Sequence, residues 1–427
     1  MTKKISGDNK FRIVEVVGVL LAGLVAVHLI SSVNQADLQV FIRAGKSVVD
    51  GHSPYPKLGT AAVYSGSSFV YPYLVAVAFV PLSLLGTYWG PFVFEVISIM
   101  ALAYATYTFS SLLRSRESNA VATQISIFAT VLLASPTLIS LQMGTLTPVI
   151  LGMLALTWRY RSSAAVSSLL VVGLAFTKVY LVVLGLFFIL TRRPRAMAGT
   201  FLLALVGLVL NFALSPLGPI GYFRLLTQLA KHESRQGFSF INALHSVYLG
   251  KTGAYVILAI GIMTVLALWL RSSNLIKRDD LAFVIAIAST LMATPILWSS
   301  YLPVLFVPLL LFADSFVLVA ALSYATSVMV TPDRAGTLMI ALQFLSVTLL
   351  VVPRYVAQIR NITLRRFLVE IDLSKALLVG LLSLGFVIEV LAPALGIQIL
   401  MVVISVSLIL RSRETPLGSQ EAIGGSL

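Results

Sequence analysis

The chain has 427 residues, 58% of them hydrophobic and 11% charged, with mean hydropathy +0.98. Soluble domains carry about 25% charged residues, so a soluble globular class is excluded. There is no cysteine, which excludes disulfides, thiol catalysis and cysteine–metal sites.

Apolar runs recur along the whole length with short basic interruptions, the pattern of a polytopic α-helical membrane protein. The formal net charge is +14. Most of the Lys and Arg lie in short clusters between spans, such as Arg114/Arg116, Arg159/Arg161, Arg192/Arg193/Arg195 and Lys277/Arg278. Positive-inside loops have this form. The basic balance therefore reports topology, and nucleic acid is not an expected partner.

The first span, about 13–33, follows a polar, basic N-terminus and lacks a small-residue cleavage site. It reads as a retained helix running outward from the cytoplasm. An outer stretch follows, about 34–68. Within it, residues 37–50 are predicted to form an amphipathic helix lying in the membrane interface. Leu38, Phe41, Ile42, Gly45, Val48 and Val49 share one side, and Gln39, Arg43, Lys46 and Asp50 the other. Gly51 is a C-cap candidate and Pro54 prevents continuation. Asp50 has Lys46 four residues away as a local partner. Asp37 has no such partner and lies about 120° round the helix from Arg43. Two readings stand for Asp37: a helix N-cap, or an outer-face carboxylate free to accept a proton.

Residues 69–113 hold two apolar runs broken near Gly86–Gly90. Two full crossings would leave Arg114 and Arg116 on the wrong side, so either one run is re-entrant or the charge rule misleads here. Later spans are expected at about 121–138, 146–158, 196–215, 253–270, 281–297, 335–353, 374–392 and 396–410. Residues 164–190 are too few for two full helices of about 20 residues each. They read as two short helices meeting near Lys178, at the outer end. Residues 302–330 behave similarly around Asp314. A second outer loop spans about 216–252. The expected fold is an all-α transmembrane bundle of about 12–14 spans, some short or re-entrant. Residues 1–412 form one domain, 413–427 a disordered tail, and both termini are cytoplasmic. Glu95, Asp314 and Glu389 lie within spans, where acids are costly and often functional.

Several segments carry a resemblance. They are "DLQVFIRAGKSVVDGHSPYP" with "FVYPYLVAVAFVPLSLL", "GLAFTKVYLVVLGLFFILTRRPRA", "SFINALHS" and "ATPILWSSYLP". In this order, over about 37–300, they resemble glycosyltransferase family 87, polytopic enzymes of the GT-C type. The resemblance implies transfer of a hexose, with mannose the commonest, from a polyprenyl-phosphate sugar to a lipid or glycan acceptor. It implies an extracytoplasmic active site in cell envelope biosynthesis and no metal cofactor.

On that resemblance Asp37 is the candidate base. Lys178, Arg43, Lys231, His232 and Arg235 are candidates for the donor phosphate. Asn242, Trp298, Tyr301 and His52 are candidates for the sugar or acceptor. Each has a plainer alternative. Lys178 can snorkel to the interface, and Arg43 can sit on a solvated face. The 231–235 cluster can meet headgroups or pair with Glu233. Asn242 can cap a turn, and Trp298 and Tyr301 can belong to an aromatic belt. His52 and His245 are isolated, with no third ligand at metal spacing.

Two departures stand out. Gly144-Thr145-Leu146-Thr147 replaces the family's Gly-Gln-x-Asn, and Ser299 and Ser300 follow Trp298 where a His is common. A secondary transporter or flippase is the competing reading, built around Glu95 or Glu389 at the midplane. A non-catalytic subunit of an envelope-assembly complex is a third.

Overall fold

The computed structural model describes residues 5–31, 35–116, 120–233, 279–294, 296–312 and 345. Among the described residues the regular structure is entirely helical, with no strand.

Helix α1 (Ile5–Ser31) leads to α2 (Ala36–Val49). In α2 the 3.6-residue period is obeyed: Leu38, Phe41, Ile42 and Gly45 are buried, while Arg43 and Lys46 are exposed. The apolar face packs on protein, against α3 (Tyr73–Ala78), α4 (Val80–Leu84) and α8 (Ser135–Met143), so membrane lipid is not what covers it. Gly45 is required for this, because a Cβ there would fall 2.7 Å from the Phe79 carbonyl oxygen. Gly51, at φ 71, closes the helix through its N–H to the Val48 carbonyl. Val49 departs from the expected pattern, being 50% exposed. Lys46 and Asp50 form no ion pair; the ion pairs among the described residues belong to Asp279.

The first apolar run after residue 69 does not cross. It is divided between α3 and α4, each far shorter than the roughly 20 residues a crossing needs. Pro81 starts α4, and Gly86, at φ 81, turns the chain into α5 (Gly86–Phe109). The 24 residues of α5 are long and apolar enough for one crossing, and α6 (Ser111–Arg116) carries Arg114 beyond its end. A single crossing through α5, with the first run non-crossing, is the arrangement that would resolve the parity conflict.

Helices α7 (Ala120–Leu133) and α8 are bent by 69° at Ala134, just before Ser135-Pro136. Helix α9 (Thr147–Arg159) packs on α5 through a small-residue contact: a Cβ on Gly152 would come within 2.7 Å of the Ala101 Cβ. Helix α10 (Ala164–Thr177) packs on α12 (Pro194–Leu214), where Ser168 Oγ donates to the Ala196 carbonyl at 2.7 Å. Between them lie a 3₁₀ segment, Val179–Gly185, and α11 (Leu186–Leu190). The stretch 164–190 is thus two short arms joined at Lys178. Helix α13 (Gly218–Glu233) follows, then α14 (Asp279–Ala293), the 3₁₀ segment Ser299–Leu305 and α15 (Phe306–Phe312).

Helices α5 and α12 are long and apolar enough to cross a membrane, and the bent α7–α8 pair makes a third candidate. Shorter apolar helices include α10 and the segments 179–190 and 299–311. The spans expected at 253–270, 335–353, 374–392 and 396–410, with Asp314 and Glu389, lie outside the described residues, as does the tail.

The two ends of the bundle differ in chemistry. At one end Asp279 accepts from Arg161 Nε at 3.2 Å and from Arg193 Nη2 at 2.6 Å. Arg193 also donates to the Arg161 carbonyl, and the Arg161 guanidinium lies 4.2 Å from the Trp158 ring centroid. Lys178 lies at the other end of α10, about 20 Å away at 1.5 Å per residue.

Candidate active site

A cleft of about 1090 Å³ opens at the Lys178 end. Its walls come from the start of α2, the 63–72 connection, the 177–183 break, α13 and the 294–301 segment. Among the described residues Asp37 is its one lining carboxylate, and Lys178 and Lys231 are its lining cations.

Asp37 is the second residue of α2. Gln35 holds the N-cap position, with no side-chain capping bond, so the N-cap reading of Asp37 does not hold. Burial holds the Asp37 carboxyl above the ordinary aspartate range, and the Lys178 charge partly offsets that rise. The two side chains face one cavity without closing an ion pair across it.

Lys178 caps α10 in an extended conformation, φ −149 and ψ 115, so the helix breaks where its side chain is needed. The residue is 5% exposed. Its Nζ lies 2.9 Å from the Tyr301 ring centroid, and Tyr301 in turn lies 5.9 Å from the Tyr180 ring. Burial pushes the Lys178 amine well below the usual lysine range and the Asp37 charge opposes that fall, so an anion entering the cleft would favour its charged form.

The opposite wall is set by "VYP". The Val70 carbonyl accepts from the Tyr222 hydroxyl at 3.3 Å and the Tyr71 carbonyl from the Tyr55 hydroxyl at 3.1 Å. Burial pushes both of those phenols above the usual tyrosine range, so they stay protonated donors. Phe41 stacks on Phe79 at 4.8 Å and leans on Tyr71 at 4.7 Å, tying α2 to this wall.

The predicted residues divide into three groups. Asp37, Lys178, Lys231, Trp298 and Tyr301 line the cleft. Arg43, His52 and His232 do not. Arg43 is exposed and donates to the Gln39 and Ser67 carbonyls at 3.1 and 3.4 Å. Its offset from Asp37 round α2 accounts for this. His52 is exposed beyond the end of α2. His232 stacks on Tyr64 at 4.3 Å, and it is Tyr64 that lines the cleft. Arg235, Asn242 and His245 lie outside the described residues. Tyr64, Tyr71, Tyr180 and Tyr222 line the cleft without having been singled out; only "KVY" and "VYP" flag two of them, by adjacency to motifs.

The departures occupy two different places. Ser299 and Ser300 line the cleft, and the Ser300 carbonyl accepts from Ser140 Oγ at 2.7 Å. Gly144, Thr145 and Thr147 are buried behind α2 rather than in the cleft.

The fold and cleft define a helical membrane protein in which the described residues gather a carboxylate, two cations and a ring of aromatic side chains at one end. Residues 69–299, more than half of the chain, match glycosyltransferase family 87, and the chain belongs to that family. It is a membrane glycosyltransferase. No curated protein matches the chain. The matched segment contains Lys178, Lys231 and Trp298 and ends at Ser299; it begins downstream of Asp37. The assignment of Asp37 therefore stands on geometry.

Proposed function

We propose that the protein is an inverting hexosyltransferase that uses a polyprenyl-phosphate sugar, with mannose the first donor to test, and a lipid or glycan acceptor. The observation that carries this reading is the convergence of Asp37 and Lys178 on one cleft from distant parts of the chain.

The chemistry follows from their separation. Asp37 takes the proton of the acceptor hydroxyl as that oxygen attacks the anomeric carbon. The bond from anomeric carbon to phosphate oxygen breaks, and polyprenyl phosphate leaves with the electron pair. Lys178, helped by Lys231, meets the charge that develops on that phosphate. Attack opposite the leaving group inverts the anomeric centre. Trp298 offers a stacking face to the sugar. Val179 and Val182, 50% and 54% exposed on the cleft wall, suit the first isoprene units. In this scheme the donor's phosphate charge is met by lysine.

By the positive-inside rule the Arg161–Arg193 end is cytoplasmic and the cleft extracytoplasmic. Glu95 is not among the residues that line this cleft, whereas the transporter reading would centre a cavity on it.

The test is sugar transfer by membranes expressing the protein, supplied with a panel of radiolabelled polyprenyl-phosphate sugars. Transfer is expected with at least one donor, reduced at least about 100-fold by Asp37→Asn. Lipid or ion flux without transfer from any donor would favour the transporter.

A further inference from the structure

Glu95 is a carboxyl within an apolar membrane helix, outside the cleft, and the chemistry above makes no use of it. Among the described residues its contact is informative. Its Oε2 accepts from Gln35 Nε2 at 3.4 Å, while its Oε1 is buried with no hydrogen-bond partner. Gln35 is one of two non-glycine residues at positive φ among those described, at φ 38 and ψ 54. L side chains rarely adopt that backbone, so something must hold it.

Two contacts do so. The amide reaches Glu95 on one side. On the other, the start of α2 presses on Gly144, where a Cβ would fall 2.5 Å from the Leu38 Cβ and 3.5 Å from the Gln35 Cβ. Gln35 is also bonded into the first turn of α2, its carbonyl accepting the Gln39 N–H at 3.0 Å. Asp37 is two residues further on, so the direction of α2 at Gln35 sets where that carboxylate lies.

We infer that Glu95 is a positioning residue: by anchoring the Gln35 side chain it fixes the left-handed turn from which α2 starts, and so the placement of Asp37 in the cleft. The inference rests on the reading of Asp37 as the base. It also accounts for an acid in α5 that never touches the cleft, and for a Gly144 that admits no side chain.

The test has two arms, one of which does not need activity. The chain has no cysteine, so Asp37→Cys supplies a single thiol. Its labelling rate with a sulfonate-bearing methanethiosulfonate reads the placement of position 37; Lys57→Cys, on an exposed position outside the cleft, is the control. In the Asp37→Cys background, Glu95→Ala and Gln35→Ala should each speed labelling at least about threefold, with the two combined no faster than either. Glu95→Gln, which keeps an acceptor oxygen, should restore the rate seen with Asp37→Cys alone. In the Lys57→Cys background none of these changes should alter labelling.

In the second arm, with Asp37 present and a radiolabelled polyprenyl-phosphate mannose, Glu95→Ala should lower kcat about tenfold to a hundredfold. KM for the donor should stay within about twofold, as a misplaced base affects the chemical step more than binding. Unchanged labelling at position 37 on adding Glu95→Ala, or additive effects of Glu95 and Gln35, would overturn the inference. If Glu95→Ala fails to fold, the Gln35→Ala and Glu95→Gln rates decide alone: a Gln35→Ala protein labelled at position 37 no faster than its parent overturns it. If labelling responds as expected but wild type transfers no sugar, the proposed function fails and the positioning role survives.

Discussion

The Lys178 Nζ lies on the face of Tyr301, 2.9 Å from the ring centroid, at the point where α10 breaks. That face of Tyr301 therefore serves the lysine and is closed to a sugar. In a desolvated setting such a contact is worth about 2 kcal/mol or more. Tyr301→Leu should release Lys178 and raise the donor KM by about tenfold, since about 1.4 kcal/mol is a factor of ten. Tyr301→Phe keeps the ring and should stay within about threefold of wild type. Donor titration in initial-rate assays distinguishes the two; equal losses in both variants would return Tyr301 to a role carried by its hydroxyl.

The pH dependence has a definite sign. Asp37 must be ionised to accept a proton, and burial holds its carboxyl above the ordinary aspartate range while Lys178 opposes that rise. The acid limb of kcat/KM should therefore lie above the range of a solvated aspartate. Lys178→Met removes the opposing charge, so its acid limb should move to still higher pH, in addition to a lower plateau. An acid limb in Lys178→Met that is unmoved, or moved to lower pH, would separate the two groups electrostatically.

How much of this was legible in the sequence differs by residue. Helix α2 was legible because its buried positions keep a 3.6-residue period. The break at Lys178 was legible because 27 residues between two basic clusters cannot make two crossings. For 69–113 the sequence left two alternatives open, because hydropathy marks the break near Gly86 but does not register that Pro81 and Gly86 cut the first run into helices too short to span. Tyr71, Tyr180 and Tyr222 stayed hidden because a tyrosine near a span end looks the same whether it meets headgroups or a cleft. Arg43 misled as a cation close in sequence to Asp37, although its rotation round α2 already pointed elsewhere.

Arg43 and His52 give a prediction that follows from their exclusion. Neither lines the cleft, and both are exposed. Arg43→Ala and His52→Ala should each leave kcat/KM within about threefold of wild type, the scale of a surface change near but outside a site. Lys231→Ala, on the cleft wall, should lower kcat/KM about tenfold by removing one cation from the donor phosphate. The ranking is read from the three variants assayed side by side; a loss in Arg43→Ala equal to that in Lys231→Ala would bring the helix face back into the site.

At the far end, Asp279 is shared by two guanidiniums at 3.2 and 2.6 Å, joining α14 to the turns after α9 and α11. Its side chain is 31% exposed, between the surface case and the buried one. Asp279→Asn should cost about 1–2 kcal/mol, more than an exposed pair and less than a buried one. Without Asp279, Arg161 and Arg193 carry unopposed like charge where their helices meet. The loss should appear as a lower Tm in detergent, with kcat/KM unchanged because Lys178 lies at the opposite end of α10. An unchanged Tm would mean that solvent and headgroups screen the pair fully. A kcat/KM that falls with Tm intact would instead mean that α10 transmits strain from this clamp to the break at Lys178.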